Sequence, residues 1–340
     1  YAELQDLAEL IGAPVGTTAS GKGVFPENHE LAIGVFGTFG LPAANAMIGD
    51  ADVVLFVGSK LSPTDTAREN PKLLDPRRQV LIQIDIEPRN ASWTFPCEHV
   101  LIGDAAAVLS RLTEVIRDMG SPPREVLMSR KEMVAEARRE HGFYDVPELS
   151  SDEVPILPQR IIAEINKAVA DDAFIACDAG ENRLFMTHFY QVKRAGALIS
   201  PAATGGMGYA IPAALAAKLI YPNRQVLAVC GDGGFAMAMN GLITAYEEDI
   251  PIVTVVFNNR ALGWVRHGQG DRVIASEFAD IDYAAIARAV GCRGIRVEKP
   301  GQLNEALTEA LASKEPAVLD VVTSLKPSFK DVMSPLAVPQ

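Results

Sequence analysis

The stretch Val226–Met237 combines a phosphate-binding turn with a negative charge. The apolar run VLAVC leads into Gly231-Asp232-Gly233-Gly234, and an apolar helical pattern follows. Backbone N–H groups at the start of a helix favour anions, so this arrangement is typical of a loop that holds a phosphate. The Asp232 carboxylate would repel a phosphate unless a cation lies between them. Mg²⁺ suits that place, because it binds one or two protein groups together with phosphate oxygens.

A second source of oxygen ligands is predicted at the end of the next strand. The run IVTVVFNN delivers Asn258 and Asn259, twenty-four residues after the glycine turn. Adjacent carboxyl ends of parallel strands share one crevice, where ligands bind. The alternative interpretation is a plain Asp-Gly turn and an Asn-Asn loop start. A nicotinamide-binding fold is disfavoured, because the next strand ends in Asn258-Asn259, where that fold should carry an acidic residue for the ribose.

At this spacing, GDG…NN resembles the thiamine-diphosphate (ThDP) motif of decarboxylases and carboligases. The resemblance implies that Asp232, the Asn259 side chain and the Ala261 carbonyl bind Mg²⁺, which bridges to the cofactor diphosphate. It also implies that the backbone of Gly231, Gly233 and Gly234 contacts the cofactor.

The stretch DAGENRLF (178–185) resembles the first diphosphate loop of the same family. Gly180, Glu181 and Asn182 then stand at the contact positions, where relatives often show Gln-His. Glu181 departs from that pattern. An acidic side chain beside a diphosphate must point away or pair with Arg183.

The stretch GGMGYAIPAALAA (205–217) resembles the segment that holds the aminopyrimidine. The Gly205 carbonyl would accept a hydrogen bond from the amino group, and glycine permits that close approach. Met207 would push the two cofactor rings into a V-shape. Without the surrounding motif, a Met at a helix start is more often an ordinary core residue.

The segment RALGWVRHGQGDR (260–272) would select the substrate. By resemblance, Gly263, Trp264 and Val265 line the reactive edge of the cofactor. Acetolactate synthases carry Trp at the position of Gly268 and usually Met at that of Trp264, so we expect an altered acceptor site and a substrate bulkier than pyruvate. His267 is a candidate acid–base group, since imidazole titrates near neutral pH; a surface or core histidine is the alternative.

Continuous apolar strands predict parallel sheets covered on both faces. We expect an α/β fold of two doubly wound parallel-sheet domains, the second a ThDP diphosphate-binding domain. By resemblance, residues 1–119 are the central domain of the acetolactate synthase branch and 157–330 the diphosphate- and Mg-binding domain. Residues 120–156, rich in proline, serine and charge, are expected to be a linker with one solvated helix, and 331–340 a C-terminal tail. Helices are predicted near 2–11, 42–48, 105–117, 159–169, 208–219, 235–247 and 283–290, and strands near 14–18, 52–57, 79–88, 98–104, 174–177, 226–230, 252–257 and 317–322.

The first helical pattern, YAELQDLAELIG, has no strand before it, so we expect the central domain to begin upstream of this chain. In the family, a glutamate on a separate pyrimidine-binding domain activates the cofactor. No candidate for it stands at a matching motif here, and so no catalytic residue is assigned besides His267. The resemblance implies that this domain comes from an upstream segment or another chain, within a homodimer or homotetramer.

The central domain of this branch often holds FAD, and that of other branches an ADP-like group or nothing. Lys60 is the candidate phosphate contact, although it lacks the bidentate fork of arginine. A solvated lysine at the end of a strand is the alternative.

Composition excludes several classes of protein. The net charge of −12 and the lack of an Arg- or Lys-rich run argue against nucleic-acid binding. No apolar run reaches the ~18 residues of a membrane span. The cysteines form no CxxC pair and predict a reducing, cytoplasmic setting; they are Cys97, Cys177, Cys230 and Cys292.

The function expected from the resemblance is Mg/ThDP-dependent cleavage or ligation of a C–C bond next to a carbonyl. The class is a lyase or transferase, a decarboxylase or carboligase acting on a small-molecule 2-oxo acid or related carbonyl. The donor, the acceptor and the balance between decarboxylation and carboligation stay open. The alternative is a non-catalytic or regulatory ThDP-binding relative.

Overall fold

The apolar runs of the sequence form strands in parallel sheets flanked by helices. The computed structural model describes residues 1–202 and 204–337. They divide into two units, one of Tyr1–Phe143 with the segment from Met333, the other of Tyr144–Val332. The α/β class predicted from the sequence is confirmed.

The first unit has two sheets in its described part. Strand β1 pairs with β2, and β3, β4 and β5 form a second sheet, with all pairs parallel. Its elements are α1 Ala2–Ile11, β1 Val15–Thr17, β2 Ala32–Val35, α2 Pro42–Asp50, β3 Val53–Val57, β4 Val80–Asp85, β5 His99–Ile102, α3 Ala105–Met119 and α4 Arg124–His141.

Helix α4 lies in the stretch that the sequence predicts to be a linker with one solvated helix. Most of its side chains are exposed, but Val134 is fully buried. Arg130 donates to the Ile11 carbonyl, and Arg138 Nε donates to the Ala32 carbonyl at 3.0 Å. The helix is therefore attached to the first unit rather than solvated on all sides.

The second unit is built on one six-stranded parallel sheet, in the order β10-β11-β9-β8-β6-β7. Its central strands are buried, as β-branched runs covered on both faces should be. Its elements are α5 Pro158–Ala168, β6 Phe174–Cys177, α6 Glu181–Phe189, β7 Leu198–Ile199, α7 Ala210–Ile220, β8 Val226–Gly231, α8 Asp232–Ala238, α9 Gly241–Glu247, β9 Val253–Asn258, α10 Gly263–Gly268, α11 Tyr283–Ala289, β10 Arg293–Val297, α12 Leu303–Ala312 and β11 Ala317–Val322.

The helix predicted at 235–247 is two helices, because the chain turns at Met239 and Asn240 between α8 and α9. The first of them begins at Asp232, so the glycine turn itself is helical. Several elements were not predicted, mostly because they are short or lack a clear apolar period; they are β2, α6, β7, α10, β10 and α12.

Candidate functional site

A cavity of about 420 Å³ opens at the carboxyl ends of β6, β8 and β9. The thirteen residues predicted to bind cofactor or metal all line it. They come from the start of α6, the loop before α7, the end of β8 with the first turn of α8, and the β9–α10 connection; they are Gly180, Glu181, Asn182, Gly205, Met207, Gly231, Asp232, Gly233, Gly234, Asn259, Ala261, Gly263 and Trp264.

The oxygens predicted to bind metal meet at the ends of the adjacent strands β8 and β9. Asp232 Oδ2 and Asn259 Oδ1 both accept from the Ala261 N–H, each at 3.2 Å. Asp232 Oδ1 accepts from the Gly233 N–H at 2.8 Å. Two acceptor oxygens that face one N–H lie close together, and a hard cation needs oxygen ligands that are near one another.

Burial sets the charge state of Asp232. Its side chain is 1% exposed, and this desolvation raises its pKa to about 7, while hydrogen bonds from the Gly233, Arg260 and Ala261 backbone oppose the shift. A buried carboxylate without a cation is costly. A bound divalent cation would restore the charged form.

Ala261 lies in an isolated antiparallel bridge opposite Glu277. The ladder hydrogen bonds are made by its neighbours, from Leu262 N–H to Ser276 and from Phe278 N–H to Arg260. Ala261's own backbone groups are therefore directed away from Glu277. Its N–H points to Asp232, and the predicted use of its carbonyl as a metal ligand stays a prediction.

The donor set suits magnesium rather than a softer metal. Within the described part of the chain, no group of three or more His, Cys, Asp and Glu side chains is arranged to hold a metal. A cation at Asp232 and Asn259 would thus depend on amide, backbone and ligand oxygens, as Mg²⁺ does beside phosphates.

Glycines leave room for a ligand at this site. Gly205 has φ +61°, and a Cβ placed on it would meet nothing within 4 Å. A Cβ on Gly233 would instead lie 2.6 Å from Leu262 and 2.9 Å from the Met207 methyl. Met207, 36% exposed, therefore sits against the glycine turn and lines the cavity rather than the core. The residues present fit a diphosphate-bearing cofactor.

The sequence led us to expect that Glu181 points away from the cavity or pairs with Arg183. It does neither. It is the first residue of α6 and directly follows Gly180, which has φ 111°. Its Oε1 lies 2.7 Å from His267 Nδ1 and accepts from the Phe329 N–H at 2.6 Å. Burial raises the pKa of Glu181, and the His267 hydrogen bond opposes that shift.

His267 uses both ring nitrogens within the protein. Its Nε2 donates to the Leu325 carbonyl at 2.9 Å, while Nδ1 faces Glu181. His267 is also absent from the cavity lining among the described residues. An acid–base role, as predicted, would require one of these bonds to break.

Asp178 is a site residue that sequence reasoning missed. Its buried carboxylate accepts from the Ala179 and Gly208 N–H groups through Oδ1 and from the Ala210 N–H through Oδ2, at 2.8–2.9 Å. It thereby fixes the loop that carries Met207. Its place directly after β6 was the available signal, since strand ends position ligands in these sheets.

Asn258 is also held, although it does not face the cavity. Its amide donates to Asp320 Oδ1 at 2.8 Å, and Arg296 donates to Asp320 Oδ2 at 2.8 Å. This buried network anchors the turn that presents Asn259. The two asparagines therefore have different surroundings: Asn259 lines the cavity and Asn258 binds Asp320.

Helix α10 carries the predicted substrate wall. Trp264 is 40% exposed, and its ring lies 5.8 Å from the Phe329 ring. Gly268, at the helix end, has open space where its Cβ would be but is not among the described residues that line the cavity. In the first unit, Lys60 lies over the exposed Trp93 ring at 5.7 Å, a cation–π contact.

Comparison with known proteins gives two family matches. Residues 1–112 match the model described as "Thiamine pyrophosphate enzyme, central domain", and residues 178–321 match "Thiamine pyrophosphate enzyme, C-terminal TPP binding domain".

Curated relatives align with most of this chain. It is 32% identical to the "Probable acetolactate synthase large subunit" of Methanocaldococcus jannaschii, over 94% of this chain and 54% of that protein. It is 32% identical to the "Putative thiamine pyrophosphate-containing protein YdaP" of Bacillus subtilis, over 96% and 55%. It is 28% identical to the "Sulfoacetaldehyde acetyltransferase" of Alcaligenes xylosoxydans xylosoxydans, over 91% and 55%. The chain thus spans about half the length of these relatives.

None of the described helices combines the length and the apolar character that crossing a membrane requires.

The two family matches fall in the two structural units. The second match includes Asp232 and Asn259, whose oxygens meet at the cavity. The chain belongs to the thiamine pyrophosphate enzymes, with their central and C-terminal TPP-binding domains.

Proposed function

We propose that this chain supplies the metal- and diphosphate-binding part of an acetolactate synthase-like enzyme. The reaction is Mg/ThDP-dependent cleavage or ligation of a C–C bond next to a carbonyl, with a 2-oxo acid or related carbonyl as substrate. The observation that carries the proposal is the convergence of Asp232 Oδ2 and Asn259 Oδ1 on one N–H at the ends of β8 and β9. When bound, ThDP supplies an electron sink for the carbon left after cleavage.

Each wall of the cavity has a part in this function. Asp232, Asn259 and the Ala261 carbonyl would hold Mg²⁺, and the glycine turn at 231–234 would accommodate the diphosphate. Met207 would support the bent cofactor, and Gly205 leaves space for close approach. The aromatic pair Trp264 and Phe329 would exclude water and shape the substrate space.

The complete enzyme, a lyase or transferase, would need a pyrimidine-binding domain with an activating glutamate, from an upstream segment or a second chain. A homodimer or homotetramer would provide it, with sites shared between subunits. Exposed apolar side chains on α8 and α9 support such contacts: Met237 is 64% exposed, Ile243 46% and Tyr246 52%.

Two further assignments belong to this proposal. The first unit would hold FAD, an ADP-like group or neither, with Lys60 as the candidate phosphate contact beside Trp93. A cytoplasmic setting is supported by the four cysteines, which form no disulfide.

The metal assignment can be tested with Asp232→Asn. We expect this variant to fold but to need a higher Mg²⁺ concentration and to bind ThDP about tenfold or more weakly, because a charged contact contributes about 1.5–3 kcal/mol. Calorimetric titration of ThDP at several Mg²⁺ concentrations measures both. Asp249→Asn is the matched control: it makes the same change at an exposed residue of the same unit, with φ 50°, which asparagine tolerates. Unchanged affinities for Asp232→Asn would show that the metal is not held here.

A further inference from the structure

Glu181 joins three segments at the wall of the cavity. It begins α6, it faces His267 near the end of α10, and it accepts from the Phe329 N–H. All these contacts use Oε1. The other oxygen, Oε2, is buried and has no hydrogen-bond partner among the described residues.

The position of the protons follows from the partners of His267. The Leu325 carbonyl can only accept, so Nε2 carries a proton. Nδ1 and Glu181 Oε1 then share one proton, whether the pair is imidazolium with carboxylate or imidazole with carboxylic acid. In both arrangements Oε2 carries no proton and is a hydrogen-bond acceptor. A second proton on the pair would have to lie on Oε2, where no described residue accepts it.

Oε2 is directed to the metal side of the cavity. A Cβ on Gly263 would lie 2.5 Å from Oε2 and 3.1 Å from the Asn259 amide nitrogen. Glu181 Oε2 and the Asn259 side chain thus both lie beside the Cβ position of residue 263. Only a glycine at 263 leaves that position open. A buried acceptor without a partner is unusual and calls for a donor from a bound molecule.

We propose that Glu181 Oε2 accepts a hydrogen bond from an N–H or O–H group of the bound ligand, with His267 as the positioning residue that holds it. This inference rests on the proposed function. The donor belongs either to the cofactor, including water on its metal, or to a hydroxyl-bearing substrate.

Glu181→Gln replaces the acceptor at Oε2 by a donor, with His267 as the imidazolium that donates to the glutamine oxygen. The Phe329 N–H requires an acceptor, so the glutamine oxygen should take the place of Oε1 and its NH₂ that of Oε2. The ligand's donor would then face another donor. Glu153→Gln is the matched control, since it makes the same change at an exposed side chain of the same unit.

The experiment titrates the full chain with ThDP and Mg²⁺, then titrates the loaded protein with hydroxypyruvate or with pyruvate, which lacks a hydroxyl. Trp264 fluorescence in a Trp93→Phe background reports occupancy, because the chain has two tryptophans. Glu181→Gln should weaken binding about tenfold or more. A loss in the first titration places the donor on the cofactor; a loss with hydroxypyruvate but not pyruvate places it on the substrate.

A second variant, Gly263→Ala, tests the same oxygen without changing Glu181. The methyl group of Gly263→Ala would collide with Oε2 and should weaken the same titration, whereas Gly301→Ala, with nothing within 4 Å, should not. Normal binding by both Glu181→Gln and Gly263→Ala would overturn the inference and leave the proposed function intact. Equal Mg²⁺ and ThDP affinities for Asp232→Asn and the unmodified chain would overturn both.

Discussion

At the scale of residues, the site concentrates acidic groups whose pKa values are raised by burial. Burial raises the pKa of Asp178, Glu181 and Asp232, and backbone or His267 hydrogen bonds oppose it in each case. The three have different partners. Asp178 fixes a loop, Glu181 joins α6 to α10, and Asp232 shares an N–H with Asn259. A bound cation would affect the pKa of Asp232 more than those of Asp178 and Glu181, because Asp232 lies beside Asn259 at the proposed metal site.

Asp178 makes a prediction about stability and pH. Burial raises its folded pKa above the ordinary 3.8, so the folded state binds its proton more tightly than the unfolded state does. The contribution of Asp178 to stability is therefore lost as pH rises from about 3.8 through the raised value. Asp178→Asn resembles the protonated form and has no proton to lose.

Relative to Asp178→Asn, the unmodified chain should thus become less stable as pH rises across that window. Urea unfolding of both proteins at several pH values gives the difference in free energy of unfolding. A difference that moves in favour of the unmodified chain with rising pH would contradict the assignment.

At the scale of elements, the strand ends and the first turns after them position the site. Strands β8 and β9 are neighbours, so residues far apart in sequence reach the same N–H. Helix α10 is only six residues long and is held by His267 and by the Trp264–Phe329 contact. Its residues Gly263, Trp264 and Val265 form one wall of a cavity whose other walls follow strand ends.

Gly268 at the end of α10 tests the role of this wall. Because its Cβ position is open, Gly268→Trp should change the free energy of unfolding by no more than about 0.5 kcal/mol. The new indole should narrow the substrate space. Filling such space contributes about 1.5–3 kcal/mol, so preference should shift about tenfold or more from larger 2-oxo acids to pyruvate.

Competition between pyruvate and larger 2-oxo acids, with the complete enzyme, measures that preference. Gly301→Trp is the control, because that glycine also has open space. If the unmodified enzyme already made acetolactate selectively from pyruvate, the expectation of a bulkier substrate would be wrong.

At the scale of the whole molecule, this chain has the central and C-terminal TPP-binding domains of its family and covers about half the length of its curated relatives. The activating glutamate is proposed to lie on a pyrimidine-binding domain outside these 340 residues. We therefore predict that the chain alone does not speed exchange of the ThDP C2 proton beyond that of free ThDP. NMR of the exchange in D₂O measures it, and faster exchange with the isolated chain would refute the prediction.

The sequence by itself determined the parallel α/β class and the residues around the cavity. Those signals are local: a β-branched run, a glycine turn and polar residues at strand ends depend on short-range geometry. The paired motif predicted that Asp232 and Asn259 meet, because adjacent parallel strands present their ends to one crevice.

Tertiary structure alone decided what each side chain contacts. Glu181 pairs with His267, 86 positions away, and not with its neighbour Arg183. Asp178 holds the turn before α7, and Asn258 binds Asp320, so that only Asn259 faces the site. Such contacts join segments distant in sequence, and their choice depends on burial and on which hydrogen-bond partners the packed fold brings within reach.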